Sequence, residues 1–170
     1  MRYRFGRKLK PAAVVAYALA VACAGESPTD ARDLSERATQ VPIERPAWSS
    51  QLGGFQDRTR IVIRDAASWS TFWSTFARTR VPPPEPPQVE FESNMVVVAA
   101  LGRRSTAGFQ ISVDTVHIEN GDLHVTVREV SPASGCIAAQ MISTPVTAVV
   151  LPAREGDVEF VEVRETRPCQ

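Results

Sequence analysis

Imidazole is scarce in this chain of 170 residues: it has two histidines, His117 and His124. They flank Asn120-Gly121, with the alternating runs Val116–Glu119 and Leu123–Val127 on either side. Asn-Gly between alternating apolar runs specifies a two-residue hairpin, because both residues tolerate φ > 0 in a type I′ turn. That register sets Ile118 against Leu123 and His117 against His124, with facing Cβ atoms about 5 Å apart. Val116, Ile118, Leu123 and Val125 then face a core, and both histidines face outward. Two imidazoles so placed could begin a metal site, helped by Glu119 or Asp122, but a chelate needs a third and a fourth ligand that the sequence does not place. The expectation is an exposed pair that repels when both rings are protonated, with no metal and no cofactor.

Thiols are the next reactive groups: Cys23, Cys136 and Cys169. Arg2, Arg4, Arg7, Lys8 and Lys10 precede an uncharged Ala/Val-rich run, Pro11 to Ala22. A basic start, a short apolar core and small residues at its end form a secretory signal, which is expected over residues 1–22. Ala20-Val21-Ala22 suits ordinary signal peptidase. Followed by Cys23, the same residues resemble a bacterial lipobox, although Ala20 stands where Leu is usual and Leu19 lies one place further back. Lipid on Cys23 leaves Cys136 and Cys169 as an even pair in an oxidising compartment, where a disulfide is expected. Ala24 after the cysteine resembles outer-membrane lipoproteins more than those retained by an acidic residue there. The expected location is therefore the cell envelope, lipid-anchored, with a soluble exported form as the alternative.

Catalytic motifs are missing. There is no G-x-S-x-G elbow, no H-E-x-x-H and no glycine-rich phosphate cradle. Both histidines share one hairpin, and Cys136 after Ser134-Gly135 is read as a disulfide partner ahead of a nucleophile. Nineteen basic and nineteen acidic residues cancel. No basic stripe follows the first ten residues, which argues against nucleic acid. The expectation is a protein that is not an enzyme and has no small-molecule substrate.

The segment Gly102-Arg103-Arg104-Ser105-Thr106-Ala107-Gly108-Phe109 has the composition of a recognition loop. Small residues let the backbone turn tightly, and Gly108 can take φ > 0. Arg103, Arg104 and Phe109 are of the types enriched at interface hot spots. This loop is the candidate partner-binding element.

Several elements must position it. Residues 23–50 are rich in Ser, Thr, Asp, Arg, Pro and Ala without apolar periodicity, and are read as a flexible tether. The folded domain is expected over 51–170. Arg60–Arg64 reads as a strand and Asp65 as a helix N-cap. Trp69, Phe72, Trp73 and Phe76 then fall at i, i+3, i+4 and i+7, one face of a helix packed on a sheet. The prolines of Val81–Pro87 make a stiff extended connector. Met95–Leu101 is a continuous apolar run, read as a strand buried on both faces. Phe109–Val113, the two hairpin runs, Gln140–Leu151 and Val158–Val163 supply the remaining strands. The expected class is α+β, mainly β: an antiparallel, sandwich-like sheet domain with one amphipathic aromatic helix on it.

Taken in order, these segments resemble the PrcB-like family, the C-terminal domain of a protease-complex subunit, over roughly Ile61 to Val161. The matching pieces are the Trp69–Trp73 helix, Val89-Glu90-Phe91, Met95-Val96-Val97-Val98, the Gly102–Phe109 loop and Ser143-Thr144-Pro145-Val146. Ser105 stands for the family's Pro, Ala107 for a Gly, and Phe109 and Val146 each for a Tyr. The resemblance implies a non-enzymatic module that stabilises or assembles with an exported protease. A narrower likeness links Ser105–Phe109 to the Thr-Thr-Gly-aromatic loop of chagasin-type cysteine-protease inhibitors, which implies inhibition through the same loop. A structural envelope lipoprotein without a discrete partner is the remaining alternative.

Overall fold

The computed structural model describes residues 38–169. The expected secretory signal over residues 1–22 and Cys23 lie outside the described residues.

The valine- and isoleucine-rich runs become strands in two four-stranded sheets. The first is β1 (Thr39–Gln40), β5 (Gln110–Glu119), β6 (Asp122–Pro132) and β8 (Val158–Arg167), in that spatial order. The second is ordered β2 (Glu44–Ser50), β7 (Val146–Pro152), β4 (Asn94–Ala100) and β3 (Thr59–Ile63). The single described helix, α1 (Ala66–Phe76), follows β3. The domain is mainly β with one short helix, as the sequence predicts.

α1 starts where the capping chemistry says it should. Asp65 is extended, and its carboxylate accepts from the Ser68 amide at 2.8 Å, satisfying one of the helix's free N–H groups. That amide bond, with the Ser68 hydroxyl, holds the Asp65 carboxyl below its ordinary value. Trp69, Phe72, Trp73 and Phe76 are all buried and pack on one face of the second sheet, against Val96, Val98, Ala100, Val146, Ala148 and Val150. They form part of the core, as the helical spacing predicts. The two indole N–H groups donate to the Pro87 and Pro84 carbonyls at 2.9 and 2.8 Å, which ties the proline connector along the helix.

Strands β4 and β7 alternate between two cores. Met95, Val97, Ala99, Val149 and Leu151 face the other way, onto Val116, Leu123, Val125 and Val127 of the first sheet. The fold is thus three layers: helix, inner sheet, outer sheet. A strand covered on both faces has no reason to alternate in polarity, which is why Met95–Leu101 reads as unbroken apolar sequence. Each fully buried valine contributes roughly 1.5–3 kcal/mol relative to exposure.

Three features depart from the expectation. Strands β1 and β2 form within the stretch read as tether, so ordered pairing starts at Thr39, ahead of Gln51. Val41 is buried in the inter-sheet core, and Trp48 lies against Trp69 with ring centroids 4.9 Å apart. Next, the strand expected from Gln140 begins only at Val146, because Pro145 has no N–H to give a ladder. Its carbonyl instead accepts from Leu101 N–H at 2.9 Å. Finally, β8 runs to Arg167 and pairs parallel, not antiparallel, with β6 from Leu123↔Val158 to Pro132↔Arg167. Parallel neighbours need a crossover; here β7, in the inner sheet, carries the chain back between them.

Candidate functional site

The Gly102–Phe109 loop leaves the end of β4 and is fixed by backbone hydrogen bonds on both flanks. Gly102 has φ +75°, and a Cβ there would stand 2.7 Å from the Asp57 carbonyl carbon, so the loop base lies against the Gln56–Arg58 backbone. Arg103 N–H donates to Gln56 O at 2.8 Å. On the other flank, Arg104 and Ser143 exchange N–H···O bonds at 2.8 and 3.0 Å, and Ala107 N–H donates to Ala139 O at 3.0 Å. The buried Ser143 hydroxyl donates to Thr106 O at 3.0 Å. A third segment joins outside Ser143–Thr144: Thr144 N–H donates to Gln51 O at 2.8 Å and Gly53 N–H to Thr144 O at 2.9 Å. Three chain segments therefore lie side by side at one end of the sandwich. Their mutual bonding makes a loop that does not have to be ordered when something binds to it.

Among the residues singled out by sequence, Arg103 and Ser105 are exposed, whereas Arg104, Thr106, Ala107 and Phe109 are half-buried and Gly108 is exposed at φ +97°. The Arg104 guanidinium sits 5.5 Å from the centre of the Phe109 ring, a cation–π arrangement. A shallow cleft of about 530 Å³ is lined by Arg103, Arg104, Ser105, Phe109 and Ile142. A second, of about 540 Å³, runs from Ala107 and Gly108 to the disulfide between Cys136 and Cys169, the pairing expected from cysteine parity. With its sulfur engaged there, Cys136 is no nucleophile.

Sequence reasoning missed the apolar half of this surface. Ile137 is fully exposed, and Met141, Ile142 and Leu52 are about half exposed, beside or across from the loop. Met141-Ile142 read as strand interior; the signal against it was Pro145, which delays the ladder and leaves both side chains outside any sheet.

Beneath this end, charge locks the two sheets together. Arg58 and Arg60 of the inner layer meet Glu129 of β6 and Glu162 of β8. Arg60 Nε donates to Glu162 at 2.9 Å and Arg58 Nε to Glu129 at 2.8 Å. Burial alone would raise the Glu129 carboxyl, but the hydrogen bonds and charges of Arg58 and Arg60 outweigh it and hold the group below its ordinary value. Among the described residues, no buried side-chain N or O atom lacks a hydrogen-bond partner.

The histidines are brought together as the hairpin predicts. Asn120 and Gly121 have φ of 53° and 97°, His117 pairs with His124, and their rings stack with centroids 5.2 Å apart. They lie at the far end of β5 from the loop, on the outward face of the outer sheet.

No curated protein and no solved structure matches the chain. Residues 95–152, which run from β4 to β7 and include the loop, the hairpin and the exposed Ile137–Ile142 segment, match the family model described as PrcB C-terminal.

Proposed function

We propose that this chain is an exported, non-enzymatic docking module that assembles with an exported protease, held at the cell envelope by lipid on Cys23. The observation that carries the reading is the braced Gly102–Phe109 loop with Arg103, Arg104 and Phe109 beside exposed Ile137, Met141 and Ile142. Cationic and aromatic groups beside apolar ones, on backbone already fixed, are what a protein interface uses at low entropic cost. The PrcB C-terminal match spans this same surface, and that family's association with a protease complex supplies the partner class.

The test is crosslinking in the native envelope followed by mass spectrometry, with Arg103→Ala/Arg104→Ala and Ile137→Asp/Ile142→Asp variants in parallel. One protease enriched with the parent chain and lost from both variants, at unchanged melting temperature, is the expected result. Equal recovery of the same proteins from all three would refute docking through this end. Cys23→Ser should release the chain from membranes; retention of that variant would refute the anchor.

A further inference from the structure

The outer face of the outer sheet carries a second arrangement that docking does not use. Register places Gln40, His117, His124 and Glu159 in one transverse row across β1, β5, β6 and β8. The His117 and His124 rings are nearly parallel, 11° apart. Glu119, two residues along β5 on the same face, puts Oε2 3.8 Å from His117 Nε2. From β8, Glu159 Oε2 approaches His124 Nδ1 to 3.3 Å. One ligating atom from each of His117, Glu119 and His124 falls within a set whose members all lie within 4.8 Å of one another.

We propose that His117, His124 and Glu119 bind a borderline divalent transition-metal ion, of which zinc is the representative, with Glu159 as the positioning residue for His124. Two imidazoles and a carboxylate are the donors that favour zinc, copper(II) or nickel(II) over calcium and magnesium, which prefer oxygen alone. Metal–nitrogen and metal–oxygen bonds of about 2.0–2.2 Å set tetrahedral ligand atoms roughly 3.4 Å apart. The present spacing thus closes by about 1.4 Å at most, within reach of side-chain rotation in the three residues, of which Glu119 is half exposed. The histidines need not move far: they ride on paired strands, and their side chains are 22% and 16% exposed. A carboxylate on Nδ1 of a ligating histidine fixes its tautomer and orientation, leaving Nε2 for the metal. Glu159 stands where that partner belongs, and it is the ligand-shell residue that the sequence alone could not place, because it comes from the parallel strand β8. Coordination would join both arms of the hairpin and, through Glu159, the edge strand β8. This site and the docking end lie on different surfaces, and neither proposal rests on the other.

The experiment is calorimetric titration of the tag-free full chain with zinc chloride at neutral pH. Cobalt(II) absorption serves as a geometric readout and melting temperature in chelator as the folding control. The chain has no histidine besides these two, and Cys23→Ser is included so that its thiol cannot contribute. One equivalent of zinc is expected, with affinity reduced at least about 100-fold in His124→Ala or His117→Gln and about 10-fold in Glu159→Gln, at unchanged melting temperature in chelator. Zinc should raise the melting temperature of the parent and not of the histidine variants. Unchanged affinity in His124→Ala overturns the site, as does displacement of zinc by equimolar calcium. So does half an equivalent per chain with a zinc-dependent dimer, which would mean that the ligands come from two copies.

Discussion

Removing the Cys136–Cys169 bridge is a test with a calculable outcome. The two cysteines are 33 residues apart in sequence. In the chain-entropy treatment a loop of that length removes about 12.5 cal/mol/K from the unfolded ensemble, worth about 3.7 kcal/mol at 25 °C. The native state should hardly notice the loss, because β8 is held independently. Its ladder with β6 runs to Pro132↔Arg167, and Ala133 N–H donates to Arg167 O at 2.9 Å, just before the bridge. Cys136→Ser/Cys169→Ser should therefore unfold in urea with a midpoint lower by about 2 M, taking a slope of roughly 2 kcal/mol per M. Amide exchange in the native state should stay slow along β8. A midpoint shift under about 0.5 M at unchanged slope would refute the entropic reasoning. Loss of β8 protection would show instead that the bridge holds the native tail in place.

Three further outcomes rest on particular contacts. Because the folded Glu129 carboxyl lies below its ordinary value, its contribution is fully present above the unfolded pKa, about 4.3, and is lost as pH falls through the lower folded value. Glu129→Gln should cost about 2 kcal/mol at neutral pH, less than for a fully buried pair because Arg58 is part exposed and keeps Glu162. It should also flatten the acid limb of stability against pH, and an unchanged limb would assign that limb to other carboxylates. Gly102→Ala combines φ +75° with a Cβ 2.7 Å from backbone, whereas Gly121→Ala at φ +97° meets nothing within 4 Å. The first should cost about 2–4 kcal/mol by urea denaturation and the second about 1–2, and equal costs would remove the close approach from the account. Trp69→Phe/Trp73→Phe deletes both indole bonds to Pro87 and Pro84, and should cost about 2–3 kcal/mol and open Arg80 to trypsin; resistance at Arg80 would mean that the connector is held by other contacts.

What the sequence made legible is what local chemistry decides. Asn120-Gly121 sets a hairpin register without help from the rest of the chain, so the His117–His124 pairing was readable. The aromatic spacing of α1 and the unbroken apolar run of β4 are likewise properties of single segments. The parallel partnership of β6 and β8 is not such a property: alternation in Val158–Val163 tells which residues face inward but not which strand lies alongside, or in which direction. Glu159 was hidden for the same reason. Strand β2 was masked by its polar composition, since its place depends on Trp48 finding Trp69 in the helix. At the end of the sandwich that carries Gly102–Phe109, the loop itself stood out by composition. Its flanking partners at Gln51–Arg58 and Ala139–Thr144 did not, because they reach it only through long-range backbone bonds.

Strand β5 separates the two surfaces and makes their independence testable. The Gly102–Phe109 loop ends immediately before Gln110 opens the strand, and the histidine row lies by its other end at Glu119. At about 3.4 Å per residue a strand of this length spans roughly 30 Å. That is several times the 7–10 Å beyond which substitutions usually act additively. The bulge between Val113 and Thr115 interrupts the register midway, so strain at one end is not carried along an unbroken ladder to the other. Arg103→Ala/Arg104→Ala should therefore leave zinc affinity within about twofold of the parent, and His117→Gln/His124→Gln should leave partner capture unchanged. If zinc altered capture by the parent chain and not by the histidine variant, the two surfaces would be coupled. The independence of the histidine face and the loop end would then fail, because a rigid strand with two independent ends has no means of passing that signal.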